Sequence, residues 1–528
     1  MSVSSGMLTD PEKPVDVDRL LIVTFTEAAA AEMKERIRGA IEQALEERPE
    51  DVHLQRQATL IHSAQITTIH SFCLSVIREH FHILDIDPSF RIAEEGELKL
   101  LRQDVLDELL EACYINAETS FLEFVEKFGT GRNDKKIEEI ILKLYDYSRS
   151  YPQPELWLDA CVRSYRTGQG DGASTEPACM ERVKVLVRQK TGDMLLILEE
   201  GLRLCGLPDG PYMYGEMLES DSAGLENLLK QESFAGMHEV VQGITWKRLS
   251  AKKDDSVDVD KRDQVKALRE KVKKMMKDIT AMYFYEAPEE ILKDMEESAD
   301  SMQVLTDLVK QFSEAFSRKK QSKNMIDFSD MEQFALRILT IEEEGRLVPS
   351  LAAAEYQEQF LEVMIDEYQD SNLIQEAILT SVSTVSKGRN NIFMVGDVKQ
   401  SIYRFRLSRP ELFMEKYETY SREDSDRQRI DLHKNFRSRE EVLGSVNFIF
   451  EQIMRRELGG ICYDEQAALY PGASYEPQLD GQKRSINRAE LILVDTSDDG
   501  VAEENNSKIR ARNRDRIPGA ETGEKAGF

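Results

Sequence analysis

Asp366 and Glu367 are adjacent carboxylates that follow directly on the apolar-rich run Phe360–Ile365. A buried strand that delivers two acids to its polar end suits a Mg-nucleotide site. One carboxylate holds the hydrated cation and its neighbour orients and deprotonates a water attacking the terminal phosphate. Asp366 is the metal candidate and Glu367 the base. The bland alternative for such a pair is an exposed acidic turn. A second stretch, Gly396-Asp397-Val398-Lys399-Gln400-Ser401-Ile402-Tyr403-Arg404-Phe405-Arg406, follows the run Ile392–Val395. Gln400 can hydrogen-bond a γ-phosphate, while Tyr403 and Phe405 offer faces for stacked bases and the arginines meet phosphates. Here the alternative is that both aromatics are core.

Two smaller patches fit the same chemistry. Thr67-Thr68-Ile69-His70-Ser71 mixes hydroxyls and an imidazole at an expected strand-to-helix junction, suited to gripping a sugar-phosphate backbone. A satisfied buried histidine is the competing reading of His70. Arg437, in Leu432–Ser438, places a planar guanidinium where a second domain meets nucleotide phosphates.

The elements that must position these groups are short apolar runs. Leu20–Val23 ends in Thr24-Phe25-Thr26, and the other two are those before Asp366 and Gly396. Runs of this kind are central parallel strands buried on both faces, with ligands at their carboxyl ends. Between the first run and the others, residues 88–320 read as helical. Leu98, Leu101, Val105 and Leu109 share one helical face, as do Ile137, Ile140, Ile141 and Leu144, and Leu305, Leu308, Val309, Phe312 and Phe316. Gly168–Pro177 and the charged stretch Ala251–Gln264 read as loops. The expected organisation is a first α/β domain in two pieces, 1–87 and 321–429, around a helical insertion, 88–320. A second α/β segment spans 430–497, and a basic, glycine-containing tail, 498–528, is expected to be disordered.

At 528 residues the chain is long enough for three or four domains. Its 69 Lys plus Arg against 98 Asp plus Glu, a net charge of −29, exclude a wholly basic nucleic-acid coat but allow a local positive groove. Six scattered cysteines without C-x-x-C read as buried thiols in a reducing compartment. No apolar stretch is long enough to span a membrane, so the expected location is the cytoplasm.

Five ordered segments carry a resemblance. Thr24–Ile37 (TFTEAAAAEMKERI), Thr67–Cys73 (TTIHSFC), Asp366–Asn372 (DEYQDSN), Val395–Arg406 (VGDVKQSIYRFR) and Leu432–Ser438 (LHKNFRS) resemble successive motifs of UvrD-like superfamily I helicases. Ile326–Asp330 (IDFSD), the helical insertion and Leu458–Ala473 narrow the likeness to AddA-type helicase subunits of helicase–nucleases. The resemblance implies a RecA-like parallel-sheet motor domain interrupted by the insertion, plus the start of a second RecA-like domain. It implies Mg2+ at Asp366, water activation by Glu367, and ATP γ-phosphate contacts from Gln400 and Arg437. Single-strand contacts are implied for Thr24, Phe25, Thr26, Thr68, His70, Ser71, Tyr403 and Phe405. Where many relatives carry Trp, this chain has Phe405, a smaller stacking face. The implied activity is ATP-dependent 3′–5′ translocation on DNA, single- and double-stranded, in double-strand-break repair and recombination with an AddB-like partner subunit.

One element of the family pattern is missing. Only Gly6 occurs among the first 38 residues and no Gly-Lys-Ser or Gly-Lys-Thr exists, so the phosphate-cradling loop G-x-x-x-x-G-K-[ST] is not in this sequence. The later helicase motifs and the nuclease are missing as well. The expectation is a fragment in which ATP hydrolysis by the isolated chain is negligible. The alternatives are a non-hydrolysing DNA- or partner-binding fragment, or a non-functional truncated product.

Overall fold

The computed structural model describes residues 2–84, 86–129, 134–166, 176, 179–252, 254–454 and 461–476. The tail 498–528 and all of Gly168–Pro177 except Glu176 lie outside them. The chain divides into two compact units, Met1–Arg429 and Ile430–Phe528.

In the first unit, β1 (Leu20–Thr24) and β2 (Gln65–Thr68) are followed by β3 (Arg91–Ile92), which pairs in parallel with β4 (Met325–Ile326). The hairpin of β5 (Thr340–Glu343) and β6 (Arg346–Pro349) precedes β7 (Glu362–Ile365) and β8 (Ile392–Met394). A parallel four-stranded sheet runs β2-β1-β7-β8. The sequence runs are unbroken because both faces are covered. Leu21, Val23, Val363 and Ile365 join a core with the helices Ile69–His80, Phe328–Leu339 and Leu373–Val382. Leu20, Ile22, Ile66 and Met364 face the other way, against Leu8, Ile37 and Ile41. Each fully buried aliphatic side chain contributes about 1.5–3 kcal/mol, so this double coverage fixes the sheet.

The register aligns the carboxyl ends. Thr24 lies opposite Thr68, Val23 opposite Ile365, and Ile365 opposite Met394. The residues that follow these strands therefore emerge along one edge.

The segment between β3 and β4 is helical and forms two cores. One gathers Leu101, Val105, Phe121, Phe124, Ile137, Ile141 and Tyr145 around Leu308, Val309, Phe312 and Phe316. The other gathers Met194, Leu198, Leu218, Leu225, Phe234, Val265, Val272 and Phe284, with Ile291. A single 35-residue helix, Pro288–Ser322, contributes to both. The charged stretch Ala251–Gln264 is only partly a loop. Asp258 accepts a bond from Lys261 N at 2.8 Å and starts the helix Val259–Tyr283, whose inward stripe begins at Val265. Among the cysteines, Cys73 and Cys205 are buried, Cys113 and Cys161 half-buried, and Cys462 is exposed, against the expectation of burial; none of these five is in a disulfide. Among the described residues no helix is long and apolar enough to cross a membrane.

In the second unit, β9 (Lys434–Asn435) and β10 (Tyr470–Pro471) pair in parallel beside the helix Glu440–Ile453.

Candidate functional site

The chain leaves β7 through a tight acidic turn. Asp366 N donates to Val23 O at 2.9 Å, tying the turn to β1, and Tyr368 N donates to Val395 O at 2.9 Å, tying it to the end of β8. Between these ties Glu367 adopts φ +51°. A non-glycine residue there costs roughly 1–2 kcal/mol, strain of the kind held at functional sites. Asp366 is half-buried and Glu367 exposed. Burial, then the Glu367 charge, pushes Asp366 above the usual carboxylate range. Asp370 is pushed up to about 6 by burial and then by Glu367. Its Oδ1 is buried with no protein partner among the described residues.

Gln369, which has no role in the sequence reading, lies under this turn and is 1% exposed. Its Nε2 donates to Glu367 Oε2 at 2.7 Å and its Oε1 accepts from Asp397 N at 3.0 Å. Asp397 in turn accepts from Lys399 N at 3.1 Å and from Gln400 Nε2 at 3.1 Å, and pairs with Lys399 Nζ at 3.0 Å. Gln400 is thus exposed but held. Neither Gln369 nor Asp397 shows a signal of its own in sequence, because their partners lie across the turn-to-loop gap.

The same loop carries the aromatics. Tyr403 lies 4.6 Å from the Phe25 ring and 5.8 Å from Phe405, centroid to centroid. The Arg406 guanidinium covers both Tyr403 and Phe405, at 5.3 and 5.7 Å. Phe405 is 74% exposed, so it is not a core residue. Three sequence candidates from two separate strand ends therefore form one aromatic row beside a cation.

The hydroxyl residues divide. Thr24 is 1% exposed and its hydroxyl donates to Thr26 O at 3.0 Å. This corrects the expectation of a Thr24 contact to DNA: its side chain is spent inside the turn. Thr26 is exposed and its Oγ1 accepts from Ala29 N, capping the helix Glu27–Glu47. Thr68 is buried and caps Ile69–His80; its Oγ1 accepts from Ser71 N at 3.3 Å and donates to Ser71 Oγ at 3.0 Å. His70 is half-buried. Its Nε2 lies 3.3 Å from the buried Glu332 carboxylate, and its ring meets exposed Phe328 edge-on at 5.4 Å. Glu332 also accepts from Gln375 Nε2 at 2.7 Å. Glu332 and Phe328 are missed from sequence because they lie on a helix far along the chain.

Arg437 belongs to the second unit. Its backbone N–H and that of Ser438 donate to Asn435 Oδ1 at 2.9 Å each, and its side chain is exposed.

A parallel sheet buried on both faces, with acids, an amide and aromatics gathered at its carboxyl edge, defines an α/β domain of the RecA-like helicase class. The model of the UvrD/REP helicase N-terminal domain matches residues 11–421. The chain belongs to the UvrD/REP helicase family. It is 46% identical over 505 residues to the AddA-type ATP-dependent helicase/nuclease subunit of Lachnoclostridium phytofermentans, covering 93% of this chain and 36% of that protein. Proteins of the same description from Bacillus velezensis and Desulforamulus reducens are 42% and 41% identical, over 93% and 95% of this chain and 39% and 40% of theirs. The chain spans well under half the length of these curated relatives.

Proposed function

We propose that this chain supplies the nucleotide and single-strand DNA contacts of an ATP-dependent DNA helicase subunit. That subunit would work with an AddB-like partner in a helicase–nuclease, translocate 3′ to 5′, and serve double-strand-break repair and recombination on cytoplasmic chromosomal DNA. The observation that carries the reading is that the acidic turn, Gln400 and the Phe25–Tyr403–Phe405 row share one sheet edge.

The residues fit Mg2+. Among the described residues no group of three or more His, Cys, Asp or Glu could hold a metal, but Mg2+ at a nucleotide takes only one or two carboxylates and fills its shell with phosphates and water. Asp366, without an ion-pair partner among the described residues, has the free oxygens for it. Bound Mg2+ neutralises charge on the phosphates. Asp366 holds and orients, and Glu367 takes the proton from the attacking water. Gln400 donates to the γ-phosphate after exchanging its bond to Asp397. Arg437, from the second unit, adds a cation to that phosphate. Phe25, Tyr403 and Phe405 stack bases, each worth about 1–3 kcal/mol. Thr26, Thr68, His70 and Ser71 line the path of the sugar-phosphate backbone, Thr68 through its cap. A phosphate loop G-x-x-x-x-G-K-[ST] would complete the nucleotide cradle, and without it hydrolysis by this chain alone is negligible.

The test is Mg·ATP hydrolysis, with and without single-stranded DNA, in a protein carrying this chain at the full length of its relatives. DNA should stimulate hydrolysis, and Asp366→Ala should remove it. Undiminished turnover in that variant overturns the metal assignment.

A further inference from the structure

None of the roles above uses Gln369, yet it touches both halves of the site. Its amide nitrogen donates to Glu367 Oε2 at 2.7 Å, its amide oxygen accepts from Asp397 N at 3.0 Å, and the residue is 1% exposed. Asp397 then holds Gln400 Nε2 at 3.1 Å, so a continuous chain of bonds runs from Glu367 to Gln400. Tyr403, three residues further, rests on Phe25.

The chemistry at this point is narrow. An amide presents a donor and an acceptor at one end; a carboxylate offers only acceptors and would add charge beside Glu367 and Asp370, and an aliphatic side chain offers neither. The loop backbone is also moulded to it. A Cβ on Gly396 would sit 2.4 Å from Gln369 Oε1 and 3.3 Å from Gln369 N, so glycine lets the loop approach this closely. A buried amide with both ends engaged transmits displacement, since neither bond can be replaced by water without opening the turn.

We infer that Gln369 is a positioning residue that couples the base-stacking loop to the acidic turn. Movement of the loop when a base stacks on Tyr403 and Phe405 passes through Asp397 and Gln369 to the carboxylate of Glu367. The inference rests on the function proposed above and deepens it, by naming the link through which bound DNA reaches the hydrolytic group.

Hydrogen–deuterium exchange on the whole 528-residue chain, with and without a thymidine oligonucleotide at low salt, tests the link without requiring hydrolysis. In the parent chain the oligonucleotide should slow exchange in residues 395–406 and also change it in residues 363–371. Gln369→Leu should keep the first response and lose the second. Gly396→Ala, which pushes on Gln369 from the loop side, should do the same, and it decides the matter should Gln369→Leu strip protection from β1 and β7. A second response that survives in the variants, or is missing from the parent while the first is present, overturns the coupling and leaves the DNA reading intact. An oligonucleotide that alters nothing in 395–406 overturns the DNA reading, and the coupling with it.

Discussion

Two pairs of carboxylates in the first unit are treated in opposite ways. Asp327 and Asp330 are buried, at 3% and 2% exposure, and every demand they make is met. Lys320 Nζ lies 2.8 Å from Asp327 and also bonds Asp330, and Arg149 Nη2 lies 3.2 Å from Asp330. The two acids cap the helix Phe328–Leu339 reciprocally. Asp366 and Glu367 sit at the sheet edge with no ion pair among the described residues, on a turn whose φ is unfavourable. The first pair is deeper yet chemically closed; the second is shallower and open. Burial of acids marks structure when cations satisfy them, and marks a site when their capacity to bind is left over.

Lys320→Met should break this contrast most severely. It strands two buried carboxylates, and the unfolding free energy should fall by about 3–5 kcal/mol in a urea titration. Asp366→Asn should leave that titration unchanged or shift it slightly upward, because it removes a like charge from Glu367. Equal losses in the two variants would erase the distinction. Tyr403→Ala and Phe405→Ala should each weaken binding of a labelled oligonucleotide by about 1–3 kcal/mol in anisotropy titrations at low salt. Phe405→Trp should tighten it through a larger face.

The pH dependence sharpens the open side. Asp370 rises from its ordinary 3.8 to about 6 in the folded protein, so between those values the folded state binds more protons than the unfolded one. Its contribution is therefore full at low pH and is lost as pH climbs from about 4 to about 6. Asp370→Asn should flatten that part of a stability–pH curve; an unchanged slope would show that another group is responsible. The smallest effect is expected at Thr26→Ala, which removes one helix cap and about 1 kcal/mol of stability by the same urea measurement.

Much of the sheet edge is legible in sequence because strands covered on both faces must be apolar throughout, so polar residues that end them stand out. Asp366, Glu367, Gln400, Tyr403 and Phe405 emerge that way. Gln369 does not, since its value lies in Asp397 N–H, which only the β7–β8 pairing brings near. Glu332 is hidden for the same reason: its meeting with His70 depends on how the helix Phe328–Leu339 crosses Ile69–His80. Thr24 misleads because the period of a strand does not say which terminal hydroxyl turns inward. The division of the insertion into two cores is concealed by the uninterrupted helical period of Pro288–Ser322.

That helix is roughly 50 Å of continuous rod at 1.5 Å per residue. Its amino-terminal end is gripped by one cluster through Ile291, its middle by the other through Val309 and Phe312, and its last turn presents Lys320 to Asp327. A shared beam of this kind makes the three anchorages mechanically dependent. Loosening the remote cluster frays the beam toward its far end, and damage introduced a long way from any nucleotide would be felt at the joint that seats Phe328 beside His70.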